Sequence, residues 1–185
     1  MNGKSDNEFV PLGNVTVAEG ITMASRVHAI YSGNEIKEVS GGKWYDMYVN
    51  YAKEKGIISA DEFDSYTRNI TRAEMAYLFA SALPQSNFNA VNNVSFIPDV
   101  NIASKYYEKI LMLYKSGVVM GSDEYGTFNP ESDIKRSESA AIINRVAISE
   151  NRVRGSLKEY NVRDAYKLAY SVGTTQTPFQ VEKTP

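Results

Sequence analysis

The sequence predicts a mainly helical, all-α fold, because one helix-forming unit recurs along its 185 residues. Apolar residues at helical spacing fill residues 21–31, 76–83 and 140–147, each soon after a segment suited to capping a helix start. Residues 49–56 and 110–117 have similar spacing and contain a closing glycine, which is typical of a helix stop. The unit is therefore a short helix, a glycine turn, a loop, a capped start and a second helix.

The helix starts carry a capping box. The hydroxyl of Thr71 can accept from the backbone N–H of Glu74, and the Glu74 carboxylate can reach back to the N–H of Thr71. In the third copy Lys135 replaces the threonine, so we expect a cap that is weaker or comes from Asp133 or Ser132. The residues assigned to helix starts and stops are Thr16, Glu19, Glu74, Glu138, Gly56 and Gly117.

Arginine stands in the first helical turn of two copies, as Arg72 and Arg136, where the helix dipole disfavours a cation by about 0.3–1 kcal/mol. Backbone N–H groups at a helix start and a planar guanidinium can converge on one carboxylate or phosphate. We therefore interpret both arginines as anion-binding residues. The alternative is an arginine that forms an ion pair with a neighbouring repeat. Val17 takes this position in the first copy, which predicts a weak or silent anion site there.

Trp44 is the one tryptophan of the chain and stands, with Tyr45, just before a predicted helix. Its flat face suits stacking on a sugar ring. The alternative is packing in the core between repeats, and we favour it slightly because tryptophan is usually largely buried. Both roles stay open at this point.

In these motifs the chain resembles the S-layer homology family. The hallmark of that family is an Ile-Thr-Arg-Ala-Glu segment that opens a helix, preceded by Phe-x-Pro and by a helix of the form Trp-Tyr…Ala…Gly-Ile. Residues 70–74 match the hallmark segment in full. Residues 134–138 keep its isoleucine, arginine and glutamate, whereas residues 15–19 lack the arginine. The Phe-x-Pro element stands at residues 9–11 and 128–130.

The resemblance covers about residues 1–148 and implies a pseudo-threefold fold. Three second helices would form a central three-helix bundle, and the short first helices and loops would form three lobes. We expect a repeat domain over residues 1–173 and a tail or linker at 174–185. The expected parts of the domain are the second half of repeat 1 at 1–34, repeat 2 at 35–84, repeat 3 at 85–150, and a C-terminal helix that completes a lobe within 151–173.

For function, the resemblance implies that grooves between lobes bind secondary cell-wall polysaccharide, often a polymer with a pyruvate-ketal-bearing amino sugar. Carried over by position, Arg72 and Arg136 would meet the ketal carboxylate, with Thr71 in the same turn. Trp44, through the flat face of its ring, is a further candidate glycan-binding residue. We therefore expect a module that anchors a surface protein non-covalently to a Gram-positive wall. Such a protein is secreted to the cell surface, and its signal peptide is expected upstream of Met1.

Composition points away from several other classes of protein. The formal charge of -2 gives no basic field for nucleic acid or an anionic membrane. No apolar run approaches the roughly 20 residues that span a bilayer, so membrane insertion is not expected. The chain has no cysteine, which excludes thiolate metal sites and a cysteine nucleophile. We expect no cofactor.

Neither an enzyme nor a metal-binding module is the favoured interpretation. The single histidine, His28, lies late in an apolar helix and is expected at the edge of the core. Asp61, Glu62 and Asp64 are clustered but lack the spacing of a calcium-binding loop. The alternatives that remain are a self-associating module of a surface layer and the non-catalytic part of a wall-active enzyme.

Overall fold

The computed structural model describes residues 8–158. Residues 159–173 of the segment in which a C-terminal helix is predicted, and the tail at 174–185, lie outside this part. The described part is helical, as predicted, with isolated single-residue bridges and no longer strands. Its helices are α1 (Val17–Ser32), α2 (Asp46–Glu54), α3 (Arg72–Ser81), α4 (Tyr107–Lys115) and α5 (Arg136–Ala147), with 3-10 turns at Gln85–Asn87 and Ser149–Asn151.

Two helices begin at the predicted capping boxes. At α3 the Glu74 N–H donates to the Thr71 hydroxyl at 3.2 Å, and the Thr71 N–H donates to the Glu74 carboxylate at 2.9 Å. At α1 the equivalent bonds join Glu19 and Thr16 at 3.3 and 2.8 Å. The spacing of the sequence is enough to place both helix starts, because each box closes within one helical turn.

The start of α5 keeps only part of this arrangement. The Lys135 N–H donates to the Glu138 carboxylate at 3.0 Å, but the Lys135 ammonium cannot accept a bond and instead donates to Asn14 at 2.6 Å. The Asp133 carboxylate accepts from the side-chain amides of Asn14 at 2.9 Å and Asn69 at 2.6 Å. Asp133 therefore connects neighbouring helix starts rather than capping α5.

Glycine follows both short helices, as the spacing predicts. Gly56 after α2 and Gly117 after α4 have φ values of 67° and 73°, in the left-handed region that glycine enters at little steric cost. The chain then turns back on the helix, since the Ile57 N–H donates to the Ala52 carbonyl at 2.8 Å. Val118 makes the equivalent bond after α4.

The helices share one apolar core. The short helix α2 packs against α1, the short helix α4 packs against α3, and α3 also contacts α1 and α5. Among the second helices, α3 thus contacts both of the others, and each short helix covers the second helix of the preceding unit. The largest fully buried side chains include Ile21, Ile70, Met75, Leu78, Phe79, Ile110, Leu113, Tyr114, Phe128 and Ile134.

A ring of backbone hydrogen bonds joins the three helix starts. The Val15 N–H donates to the Ile134 carbonyl at 3.2 Å, the Ile134 N–H donates to the Ile70 carbonyl at 3.3 Å, and the Ile70 N–H donates to the Val15 carbonyl at 2.9 Å. These three residues are at most 1% exposed. The β-branched residue that precedes each helix start is therefore buried, and its backbone hydrogen bonds hold the three helix starts side by side.

Candidate functional site

The backbone N–H groups at the helix starts already have acceptors within the protein. At α3, Arg72 donates to the Ser132 carbonyl at 2.9 Å and Ala73 donates to the Pro130 carbonyl at 3.0 Å. The first two N–H groups of α1 and of α5 make the equivalent bonds to the loops before α3 and α1. An external anion would have to displace these carbonyls in order to use the same donors.

Arg72 lies between two repeats. Its Nε donates to the Phe128 carbonyl at 2.7 Å, and its guanidinium stacks over the Phe128 ring with 5.3 Å to the ring centroid. Its Nη1 forms an ion pair with Glu138 in the first turn of α5. The side chain of Arg72 is 13% exposed, so this arginine fastens the start of α3 to the start of α5.

Arg136 repeats this arrangement one step around the ring. Its Nε donates to the Phe9 carbonyl at 3.0 Å, its guanidinium lies 5.1 Å from the Phe9 ring centroid, and its Nη1 lies 3.5 Å from Glu19 of α1. Arg136 is only 3% exposed. Arg72 and Arg136 thus make the contacts expected of the alternative interpretation, in which each arginine forms an ion pair with a neighbouring repeat. A ligand-binding role for either arginine, or for Thr71, stays a prediction.

The third ion pair of the series uses an arginine that the motif does not contain. Val17 stands where the other two helices have arginine, and Arg68 donates instead to both carboxylate oxygens of Glu74, at 2.9 and 2.7 Å. The Nε of Arg68 donates to Asp64 at 2.9 Å. Burial opposes ionisation of Glu74, but the bonds from Arg68 and from the Thr71 N–H outweigh it and hold the pKa of Glu74 below its ordinary value.

Nothing in the spacing of the motif singles out Arg68. The one available signal is the missing arginine at Val17, which leaves the capping-box glutamate Glu74 without the cation that Glu19 and Glu138 have. A search for a compensating cation near Glu74 would have found Arg68.

An open groove of about 840 Å³ runs between α1, the start of α2, and α5. Trp44 lies on its wall, 59% exposed, with its ring edge-on to Tyr45 at 5.4 Å between centroids. The slightly favoured prediction of Trp44 as a core residue is therefore wrong, because the segment just before α2 leaves the indole exposed at the groove. The remaining groove lining is mostly apolar: Phe9, Val15, Met23, Val27, Ile30, Met47, Ala140, Ile143 and Ala147.

The polar side chains of this groove come from all three helices. Arg136, Glu19 and Arg26 carry its charges, and the two arginines against one glutamate give the lining a formal charge of +1. Arg26 is exposed, its Nη2 donates to the Tyr48 hydroxyl at 2.9 Å, and its guanidinium lies 5.3 Å from the Tyr48 ring centroid. The groove thus brings together Arg136 and Trp44 among the predicted site residues, while Arg72 and Thr71 lie outside its lining.

The equivalent position beside α3 and α4 is filled differently. Lys105 precedes the start of α4 as Trp44 precedes the start of α2, and it donates to Glu62 at 2.9 Å. The Tyr106 hydroxyl donates to the same oxygen at 3.0 Å. Burial, reinforced by the hydrogen bond to Glu62, raises the pKa of Tyr106 to about 12. This cluster of Glu62, Lys105 and Tyr106 stands where the first groove has an exposed indole.

Residues 8–158 contain no group of three or more side chains that could together hold a metal ion. No helix in this part is both long and apolar enough to cross a membrane. His28 lies at the edge of the core, as expected, with its Nδ1 2.8 Å from the Tyr51 hydroxyl.

Comparison with known proteins gives one family match and several relatives. Residues 97–140 match the model of the S-layer homology domain. An amylopullulanase of Thermoanaerobacterium thermosulfurigenes is 30% identical over 77% of this chain and 8% of its own length. The S-layer protein EA1 of Bacillus anthracis is 32% identical over 78% of this chain and 16% of its own. Cell surface glycoprotein 1 of Acetivibrio thermocellus is 25% identical over 90% of this chain and 8% of its own.

Proposed function

This chain belongs to the S-layer homology family, and we propose that it is a module that anchors a larger surface protein non-covalently to the bacterial cell wall. The relatives support this role, since two of them are named as an S-layer protein and a cell surface glycoprotein. The chain spans 8% to 16% of the length of these relatives, so the rest of such a protein supplies the activity that is anchored. The site of action is the cell surface.

The ligand that we propose is secondary cell-wall polysaccharide, bound in the groove between α1, α2 and α5. The observation that carries this assignment is Trp44, an exposed indole on the wall of a groove of about 840 Å³. An aromatic face suits the apolar face of a sugar ring, and polar groups beside it suit the hydroxyl and acidic groups of the sugar. A polymer with pyruvate-ketal-bearing residues has both features.

No reaction is assigned to this chain. The amylopullulanase among the relatives shares only 8% of its length with it, so the module is compatible with attachment to an enzyme. Two of the least exposed carboxylates in the described part are used structurally: Glu74 caps α3 and pairs with Arg68, and Glu62 accepts from Lys105. We propose a non-catalytic role for the chain.

Sedimentation with purified Gram-positive wall sacculi tests this function. We expect the chain to pellet with intact walls and to stay in solution with walls whose secondary polymer has been extracted by acid. Trp44→Ala should lose pelleting, whereas Ile102→Ala, which removes a side chain that is 72% exposed outside the groove, should keep it. A folded chain that ignores the walls of several species, or pellets equally with extracted walls, would contradict the proposal.

A second candidate is self-association within a surface layer. It is favoured by three large apolar side chains that are among the most exposed in the described part, Leu12 at 78%, Ile30 at 83% and Ile102 at 72%. Light scattering across a range of protein concentrations separates the candidates. A mass that rises with concentration and falls in Leu12→Ser or Ile102→Ser would favour association, and a constant monomer mass would exclude it.

A further inference from the structure

We propose that the α5 wall of the groove between α1, α2 and α5 is a docking surface for residues 162–173 of the same chain, which bind α5 there as α2 binds α1. These residues lie outside the described part of the chain. The proposal goes beyond the glycan-binding function and does not depend on it. It makes residues 162–173 a further part of the groove, facing Trp44.

The face of α5 that a short helix would cover is open. Within residues 8–158, α2 covers α1 and α4 covers α3, but no third short helix follows α5. The fifth and sixth residues after the capping-box glutamate are buried in both covered helices: Ala24 and Ser25 in α1, Phe79 and Ala80 in α3. At the same positions of α5, Ile143 is half-buried and Asn144 is exposed. Both line the groove, so its α5 wall is the face that is covered in the other two helices.

The groove also has the second wall that a short helix meets elsewhere in the fold. The turn after α4 is bonded to the next second helix, because the Arg145 Nη1 on α5 donates to the Val118 carbonyl at 3.3 Å. Arg26 follows Glu19 on α1 at the offset at which Arg145 follows its own capping-box glutamate, and it lines the groove. A short helix on α5 would therefore meet Arg26 of α1 as the end of α4 meets Arg145.

The sequence of residues 162–173 fits this surface. Tyr166, Ala169 and Gly173 repeat the spacing of two buried residues of α2 and of the glycine that follows it. This spacing places the tyrosine and the alanine on one face of a helix that ends at the glycine. An apolar face of this kind suits the largely apolar wall of the groove.

One pair of positions shows complementary changes on the two sides. Between α1 and α2, the Nδ1 of His28 lies 2.8 Å from the Tyr51 hydroxyl. The corresponding residues are Ala147 on α5 and Leu168 in the segment. A polar pair in one repeat is thus matched by an apolar pair in the other, which avoids an unpaired polar group at the contact.

The length of the connection is also suitable. Residues 33–45 connect α1 to α2, and residues 82–106 connect α3 to α4. Residues 148–162 would connect α5 to the docked segment, and their number lies between the other two. Each short helix would then cover the second helix that precedes it in the chain.

Paired cysteines test the docking directly, because the chain has no cysteine of its own. In the covered helix α1, the Ser25 hydroxyl donates to the Tyr48 carbonyl of α2 at 3.1 Å, and the equivalent positions are Asn144 and Ala165. The full chain with Asn144→Cys and Ala165→Cys is oxidised at low protein concentration, and the products are separated on a non-reducing gel. The control combines Ala165→Cys with Ile102→Cys, since Ile102 is 72% exposed and lies outside the groove lining.

We expect the disulfide to close within single molecules of the first variant, at a yield several-fold above that of the control. Adding Ala169→Asp, at the position of the buried Ala52, should lower the yield to that of the control, because it places a charge in the contact. Adding Lys167→Asp, at the position of the exposed Asn50, should leave the yield unchanged. Equal yields in the two cysteine pairs, or an unchanged yield with Ala169→Asp, would overturn the proposal. Disulfides that form only between molecules would also overturn it and would assign this surface to a second copy of the chain.

Discussion

Arg68 lies across the Glu74 carboxylate and donates to both of its oxygens, at 2.9 and 2.7 Å. The other two capping-box glutamates, Glu19 and Glu138, receive their cation from the first helical turn of a neighbouring repeat. Glu74 receives it from the loop before its own helix, because Val17 stands at the position of the third motif arginine. The chain has thus lost one motif arginine while each of its capping-box glutamates keeps an ion pair.

Removal of Arg68 is therefore expected to destabilise the fold. Arg68→Met takes two charge-assisted bonds from a carboxylate whose side chain is 12% exposed, and we expect the free energy of unfolding to fall by about 1–3 kcal/mol. Arg68→Lys keeps the charge without the fork and should lose less. Urea denaturation followed by far-UV circular dichroism measures both, with Arg154→Met as the exposed control. An effect of Arg68→Met no larger than that of Arg154→Met would contradict a structural role for this pair.

Arg136 is expected to matter more for folding than a surface arginine does. Arg136→Met keeps much of the apolar stem but removes the guanidinium that pairs with Glu19. The position is buried, since Arg136 is only 3% exposed. We expect a loss of about 2–4 kcal/mol in the free energy of unfolding, toward the lower end for a pair that solvent partly reaches. Thermal denaturation of Arg136→Met and of Arg26→Met provides the comparison. Equal melting temperatures for the two variants would show that the Arg136 contacts do not stabilise the fold.

Local signals predicted much of this fold. Thr71 and Glu74 interact within one helical turn, so their spacing alone identifies a helix start, and the same holds for Thr16 and Glu19. Gly56 also follows a local rule, since the turn after a helix needs a left-handed residue. The mainly helical class follows from these signals, whereas the implied lobes and the domain boundaries at 34, 84 and 150 stay predictions.

The two glycines that sequence analysis treats as equivalent are expected to differ in tolerance. Both have positive φ, but a Cβ at Gly56 meets nothing within 4 Å, whereas one at Gly117 would lie 2.3 Å from the Val153 carbonyl oxygen. We expect Gly56→Ala to lower the free energy of unfolding by about 1–2 kcal/mol through backbone strain alone. Gly117→Ala adds a steric clash and should lose about 3 kcal/mol or more. Chemical denaturation measures both, and equal losses would contradict the close approach at Gly117.

Stability is expected to fall at mildly acidic pH through His28. Burial, helped by the charge of Lys55, lowers the pKa of His28 below the ordinary value of 6.5. The unfolded chain therefore binds more protons than the folded chain as the pH drops through 6.5, and the contribution of His28 to stability decreases until the pH is below the folded-state pKa. His28 is the single histidine, so nuclear magnetic resonance can titrate its imidazole without ambiguity. A pKa at or above 6.5 in the folded chain would contradict this account.

Long-range features of the site escaped prediction for a physical reason. Arg68 pairs with Glu74 only six residues away, but it replaces the arginine missing at Val17, and that relation is visible only once the loop before α3 is seen to lie against the start of α1. The exposure of Trp44 depends on how α2 sits on α1 and on the open space before α5, neither of which has a local signature. Arg26 follows Glu19 at the same offset as Arg145 follows Glu138, but this repeat does not predict the contact of Arg26 with Tyr48 on α2.

Binding of wall polysaccharide in the groove between α1, α2 and α5, as we propose, can be measured directly through Trp44, because it is the one tryptophan of the chain. Purified secondary wall polymer is titrated into the wild-type chain while acrylamide quenching of the indole fluorescence is recorded. Since Trp44 is 59% exposed in the free chain, the account expects strong quenching that falls as polymer binds. Polymer that binds, as judged by co-sedimentation, without any change in the quenching of Trp44 would contradict the claim, because the ligand would then lie elsewhere on the chain.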